Sequence, residues 1–208
     1  MEAHLRKRKT LHPCPTCFLH LSRCICPLIP KLDLQTRVTL VVHAKELKRT
    51  TNTGRLAIHA LKNSEMIVRG RDQNPLDLSS LISDKYETYL LYPSEGARDL
   101  SSIQSSTGKP IHLIVPDGNW RQASKVHTRH PELKSIPRVK LTRLEEEGNG
   151  SLRKEHLADG MATLEAIALA MASLEDQVVA RKLLDLYKAK LRATLEGRQP
   201  SSKGSPIQ

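Results

Sequence analysis

The chain has 208 residues, of which 38% are apolar; this is enough for one compact core, and no run approaches the roughly 20 consecutive apolar residues of a membrane span. Lys and Arg number 33 against 22 acids, a formal charge of +11, which points either to a polyanionic partner, most often nucleic acid, or to a basic solvated surface. Aromatic residues make up only 3%, with one Trp and one Phe, which argues against a module that stacks several bases on exposed rings and leaves backbone contacts by Lys and Arg to carry the affinity.

The first nine residues are basic, and no apolar signal segment follows them. A cytoplasmic or equivalently reducing location is therefore expected, with no membrane partner. Residues 1–35 form a basic, loop-rich segment in which Pro13, Pro15, Pro27 and Pro30 exclude long helices. All four cysteines of the chain lie here, at Cys14, Cys17, Cys24 and Cys26. Four thiolates at that spacing can close a tetrahedral zinc site, and zinc would supply folding energy to a segment with little core of its own. Such a site has no open position, so the expected Zn2+ is structural. The other readings are four unligated thiols, or a redox pair at Cys14 and Cys17; no thioredoxin-like strand and helix flank that pair. His12 and His20 are nearby as substitute ligands.

From residue 36 the pattern changes. Arg37 to Val42 is β-branched and apolar and reads as a buried strand. A helical stripe follows over Gly54 to Lys62, with Leu56, Ala57, Ala60 and Leu61 on one face. Further strands are predicted at 65–68, 87–92, 111–115 and 138–141, and helices at 120–128, 161–174 and 176–195. Strands that alternate with helices and are apolar throughout predict an α/β fold: a mostly parallel sheet covered by helices on both faces. Ligands of such sheets bind beyond the carboxyl ends of the strands. The polar segments placed there are His43 to Glu46, Ser94 to Gly96 and Asp117 to Trp120. The Ser-, Pro- and Gly-rich tail, from about residue 196 to 208, is expected to be disordered.

Each of these residues also has an ordinary structural use. Asp117 can cap a helix, and Trp120 can fill a core. Asn52 and Thr53 can cap the helix at Gly54, or that helix start can receive an anionic group reinforced by Arg49 and Arg55. Thr163 and Glu165 stand at the start of a later helix and can serve as its cap and its solvated face. Asp117 and Trp120 together, at one strand end beside a second polar strand end, favour function over structure.

The ordered set of motifs resembles the DTW-domain family, the tRNA-uridine aminocarboxypropyltransferases. The matching elements are the four cysteines, His43-x-x-Glu46, Thr51-Asn52-Thr53-Gly54, Leu91-Tyr92-Pro93-Ser94, Asp117-Gly118-Asn119-Trp120 with Arg121-Gln122-Ala123, and Thr163-Leu164-Glu165-Ala166. They span about residues 12 to 175. One position departs from the family pattern Asp-x-Thr-Trp: Asn119 stands where Thr is usual. Asn keeps a donor and an acceptor but loses the β-branched shape.

The resemblance implies a SPOUT-like catalytic domain over residues 36–195 with a C-terminal trefoil knot, preceded by the zinc-binding segment. It also implies transfer of the 3-amino-3-carboxypropyl group of S-adenosylmethionine to N3 of a uridine in tRNA, leaving methylthioadenosine. Asp117 is then the candidate general base. The candidate cofactor-binding residues are Tyr92, Pro93, Ser94 and Glu95, then Val115, Pro116, Gly118 and Trp120, and Thr163, Leu164 and Glu165. His43, Arg49, Asn52, Thr53, Arg55 and Arg121 are the candidates for contact with RNA or with the amino-acid end of the cofactor. The competing readings are a SPOUT-type RNA methyltransferase and a zinc-bearing RNA-binding protein without catalysis. A monomer and a homodimer are both compatible with the sequence.

Overall fold

The computed structural model describes residues 12–70, 76–103, 105, 107–141 and 161–197. Six strands form one sheet: β1 (Arg37–His43), β2 (Ser64–Arg69), β3 (Glu87–Leu91), β4 (Arg98–Asp99), β5 (Ile111–Asp117) and β6 (Arg138–Lys140). Their order is β2-β1-β5-β3-β6-β4, and every pairing is parallel. The helices are α1 (Gly54–Ala60), α2 (Trp120–Arg129), α3 (Thr163–Leu174) and α4 (Gln177–Glu196). An α/β fold with a parallel sheet is thus present as expected. Among the described residues, no helix is long and apolar enough to cross a membrane.

The period-2 alternation of the strands divides the apolar side chains between two layers. Val38, Leu40, Leu113, Val115, Tyr89 and Leu91 face the larger core, which also takes in α1, α3 and α4. Val41, Leu90 and Ile114 face a smaller core closed by Val126 of α2 and by Leu78, Leu133 and Ile136. Because helices cover both faces, the two central strands are buried along nearly their whole length. Truncating a fully buried residue such as Leu113 to Ala would cost about 2–5 kcal/mol.

The cysteine segment shares the larger core. Cys14, Cys17, Leu19, Ile25 and Leu32 pack in the same cluster as Leu186 and Ala193 of α4. Leu32 also makes a parallel bridge to Leu61: its N–H donates to Ala60 O at 2.8 Å, and its carbonyl accepts from Lys62 N at 2.9 Å. This bridge turns Leu61 to extended backbone, which is why α1 stops at Ala60, short of the predicted Lys62. β5 runs two residues further than predicted, through Pro116 and Asp117, which pair with Val41 and Val42 of β1. The two-residue strand β4 was not predicted, since two residues hold no readable period. The predicted disordered tail lies, from residue 198 on, outside the described residues.

Candidate active site

Asp117 is the last residue of β5, at the carboxyl edge of the sheet, and is only 7% exposed. The helix cap that Asp117 could have supplied comes instead from Asn119, whose Oδ1 accepts from Gln122 N at 2.9 Å while Gln122 Oε1 accepts from Asn119 N at 2.8 Å. This reciprocal capping box explains why Asn is acceptable where Thr is usual, since Asn is at least as good at the N-cap. It also leaves the Asp117 carboxylate free for other partners. Gly118 permits the turn: its φ is +153°, and a Cβ there would stand 2.7 Å from Gln122 Oε1. A side chain at 118 would therefore displace the cap.

Two distant segments close on the carboxylate. Asn52 Nδ2 donates to Asp117 Oδ2 at 2.7 Å. Thr163 Oγ1 donates a short bond to Asp117 Oδ1. The same two segments are tied to each other, because Leu164 N donates to Thr53 Oγ1 at 3.2 Å. Close approach is possible because Gly54 lets α1 lie against β1 and α3, where a Cβ would meet Leu40 Cδ2 at 3.0 Å and Thr163 Cγ2 at 3.1 Å. Burial pushes the Asp117 carboxyl above its ordinary value; the bonds from Thr163 and Asn52 oppose this, Glu46 adds to it, and Arg55 opposes it.

Arg55 and Glu46 flank this carboxylate with unused hydrogen-bonding capacity. Arg55 Cζ lies over the Phe18 ring, 3.8 Å from its centroid, and its Nε and Nη1 are buried without a hydrogen-bond partner. Burial holds its pKa below the usual value, while Asp117 and Cys17 pull the other way. Glu46 is buried; its Oε2 is 3.2 Å from Arg49 Nε, and its Oε1 has no partner. Orphaned buried polar atoms are costly, and this pair of opposite sign suits a ligand carrying both charges.

The remaining candidates distribute around the same sheet edge. The Tyr92 ring meets the His127 ring of α2 at 4.7 Å between centroids, and Arg138 Nη1 donates to Ser94 Oγ at 3.5 Å. Pro93 and Glu95 are exposed beside them. Val115 and Leu164 face the core, so only their backbone is open to a ligand. Pro116 is half-buried, and Glu165 sits in the first turn of α3. The Trp120 side chain lies outside the described residues. His43 stands against Gly70 at the end of β2. Burial, then Arg69, Lys45 and Lys125, hold its imidazole below the ordinary value, with Glu46 opposing. Arg121 is exposed on α2.

The four cysteine Sγ atoms lie within 4.8 Å of one another. Cys14 is 3.5 Å from Cys26 and from Cys24, and Cys17 is 3.9 Å from Cys24. A tetrahedral zinc with bonds of about 2.3 Å sets its sulfurs about 3.8 Å apart, so the set can hold a metal ion. Burial pushes the Cys14 thiol up, but the backbone N–H groups of Cys17 and Thr16 and bonds to Cys26 and Cys24 outweigh it and hold the thiol at about 6. Lys190 on α4, 2% exposed, donates from Nζ to Cys17 O at 2.6 Å. Sequence reasoning missed Lys190 and Phe18 as parts of the site, and named Glu46 as a motif residue without giving it a role. A signal for Lys190 existed: it falls on the buried stripe of α4 with Leu183, Leu186 and Ala193, where a charge needs a partner.

The chain is 28% identical over 178 residues to tRNA-uridine aminocarboxypropyltransferase 2 of Drosophila melanogaster, an alignment that covers 82% of this chain and 70% of that protein. No solved structure matches. The family model of the DTW domain matches residues 11–195, a span that holds the cysteine cluster, the Asp117 cage and all but the last residue of α4, and the chain therefore belongs to the DTW-domain family.

Proposed function

We propose that the protein transfers the 3-amino-3-carboxypropyl group of S-adenosylmethionine to N3 of a uridine in tRNA, forming acp3U and methylthioadenosine. The observation that carries this reading is the caged carboxylate of Asp117, where three motif segments separated in sequence meet at one sheet edge. Family membership and the name of the Drosophila relative support the reaction class.

Asp117 acts as the general base and takes the proton of uracil N3–H. Burial raises its basicity toward the operating pH, which suits proton transfer, and such help is typically worth about 10²–10⁴-fold. Asn52 and Thr163 orient the carboxylate, and Thr53 fixes the start of α3 beside it. When bound, S-adenosylmethionine would supply a carbon activated by its positive sulfur, with methylthioadenosine as the leaving group. The orphaned donors of Arg55 and the orphaned acceptor of Glu46 fit the carboxylate and ammonium of its amino-acid end. Tyr92 to Glu95, Val115 to Gly118, Trp120 and Thr163 to Glu165 hold the rest. A grip on the amino-acid end by Arg55 and Glu46 would favour transfer of that end rather than of the methyl group.

His43, Arg49 and Arg121 serve the RNA. The four cysteines hold a structural zinc, with Lys190 as a counter-charge. A SPOUT-like domain over residues 36–195 with a C-terminal trefoil knot, a zinc-binding segment over 1–35 and a cytoplasmic location complete the reading. The test is incubation of the protein with bulk tRNA and S-adenosylmethionine, followed by nucleoside mass spectrometry. Acp3U is the expected product. A methylated uridine would instead make the protein an RNA methyltransferase, and tRNA binding without any cofactor binding by calorimetry would leave a non-catalytic RNA-binding protein.

A further inference from the structure

α2 begins three residues after Asp117 and carries Arg121, Lys125 and Arg129 at intervals of four. That interval puts all three on one face, about 6 Å apart along the axis. Arg121 and Arg129 are exposed and Lys125 is half-buried. None of the three is within ion-pairing distance of an acid among the described residues. Like charges at that spacing weaken a helix, and the repulsion is felt: Arg129, then burial, Arg121 and Arg69 hold the Lys125 ammonium below its ordinary value.

Arg69, at the end of β2, backs the row. Its Nη2 donates to Gln122 O at 2.6 Å, and its Nε is buried without a partner. Where the row ends, Arg69, Arg129 and His130 border a cleft of about 410 Å³. Two acids, Asp77 and Glu132, also line the cleft and balance its two arginines. Asp77 accepts from Ser79 N and Ser79 Oγ, and Glu132 accepts from Leu78 N and stands 3.4 Å from His130 Nδ1. The row of cations that leads away from the candidate base along α2 pairs with no acid among the described residues. It has the form of a surface that follows a polyanionic strand.

We propose that Arg121, Lys125 and Arg129, backed by Arg69, grip the phosphate backbone of the RNA strand that carries the target uridine, leading away from Asp117 along α2. The inference rests on the reading of RNA as substrate, but not on the group transferred. Each phosphate contact steepens the dependence of log Kd on log salt by about 0.7–0.9 and is worth about 5–8-fold in affinity at 0.1 M salt.

The test compares the full-length protein with R121Q/K125Q/R129Q and with R181Q/K188Q/R192Q, which removes three exposed charges from α4 instead. Binding of bulk tRNA is measured by fluorescence anisotropy from 50 to 300 mM salt, and each variant is melted. The α2 variant is expected to bind on the order of 100-fold more weakly at 0.1 M salt, with a slope shallower by about 2–3 and an unchanged or higher melting temperature. The α4 variant is expected to bind within a fewfold of the parent. Equal losses in both variants, or an unchanged slope in the α2 variant, would overturn the proposal. Formation of acp3U by the parent is scored separately. A parent that makes no acp3U yet shows the expected losses sinks the reaction assignment and keeps the RNA track, and an active parent with an unaffected α2 variant does the reverse.

Discussion

Asp117→Asn separates chemistry from structure at the candidate base. The substitution keeps the shape of a side chain that is 7% exposed. Its amide oxygen can still accept from Asn52 Nδ2, and its amide nitrogen can donate to Thr163 Oγ1, whose hydroxyl rotates to accept. One hydrogen bond reverses direction and none is lost. Two charge-assisted bonds become neutral ones, which costs about 1 kcal/mol each, and a buried charge disappears, which returns a similar amount. The melting temperature should therefore stay within about 4 °C of the parent. Transfer should fall by about 10²–10⁴-fold. The sign of the pH dependence follows from burial, which raises the carboxyl. The base works deprotonated, so the rate should climb with pH along a limb above the ordinary carboxylate range of about 3.9, and the variant should lack that limb. A raised folded value also means that Asp117 favours the native state only while protonated. That contribution is lost as pH rises through its folded value, so the variant should gain stability relative to the parent toward neutral pH. The assay is single-turnover formation of acp3U by nucleoside mass spectrometry beside thermal melts and calorimetry of cofactor binding. A variant that melts normally, binds cofactor and keeps the parent's rate would refute Asp117 as the base.

Protein prepared without chelator should hold one zinc per chain by elemental analysis. Lys190→Met should weaken zinc retention against a competing chelator and cost about 3–5 kcal/mol, because the Cys17 carbonyl and the thiolates lose a buried cation; unchanged retention would argue against the counter-charge. His112 is 2% exposed, with Nε2 2.8 Å from Thr39 Oγ1 and Nδ1 3.1 Å from Leu81 O. Burial, and then Arg37, depress it from 6.5 to about 4. Below 6.5 the unfolded chain takes up a proton that the native state refuses, so stability should fall between pH 6.5 and about 4, by up to about 3 kcal/mol. Chemical denaturation across that range should show the slope, and His112→Gln should flatten it.

The strands were legible because parallel sheets covered on both sides need continuous apolar runs. Arg37 to Val42 and Ile111 to Val115 have no other use. The helix starting at Trp120 was legible too, but its cap was not, since Asp117 and Asn119 both suit an N-cap. Only the course of β5 through Pro116 and Asp117 decides between them. The insertion of β5 between β1 and β3 was not readable, because strand order is set by crossovers and not by local periodicity. In the candidate site, Asp117, Asn52, Thr53 and Thr163 were named from motif spacing. That Asn52 and Thr53 serve the Asp117 cage and α3 depends on a close approach at Gly54 that no single segment encodes. Phe18 and Lys190 were missed because each acts across long separations, on Arg55 and on Cys17.

The bond from Lys190 to Cys17 spans 173 residues. During synthesis the cysteine segment emerges well before the cation that contacts it. Until α4 is in place, the cysteine segment lacks the packing of Leu186 and Ala193 and the bond from Lys190. Closure of this site thus waits on the arrival of α4. A protein truncated before α4 would carry every cysteine and still lack the buried cation beside them.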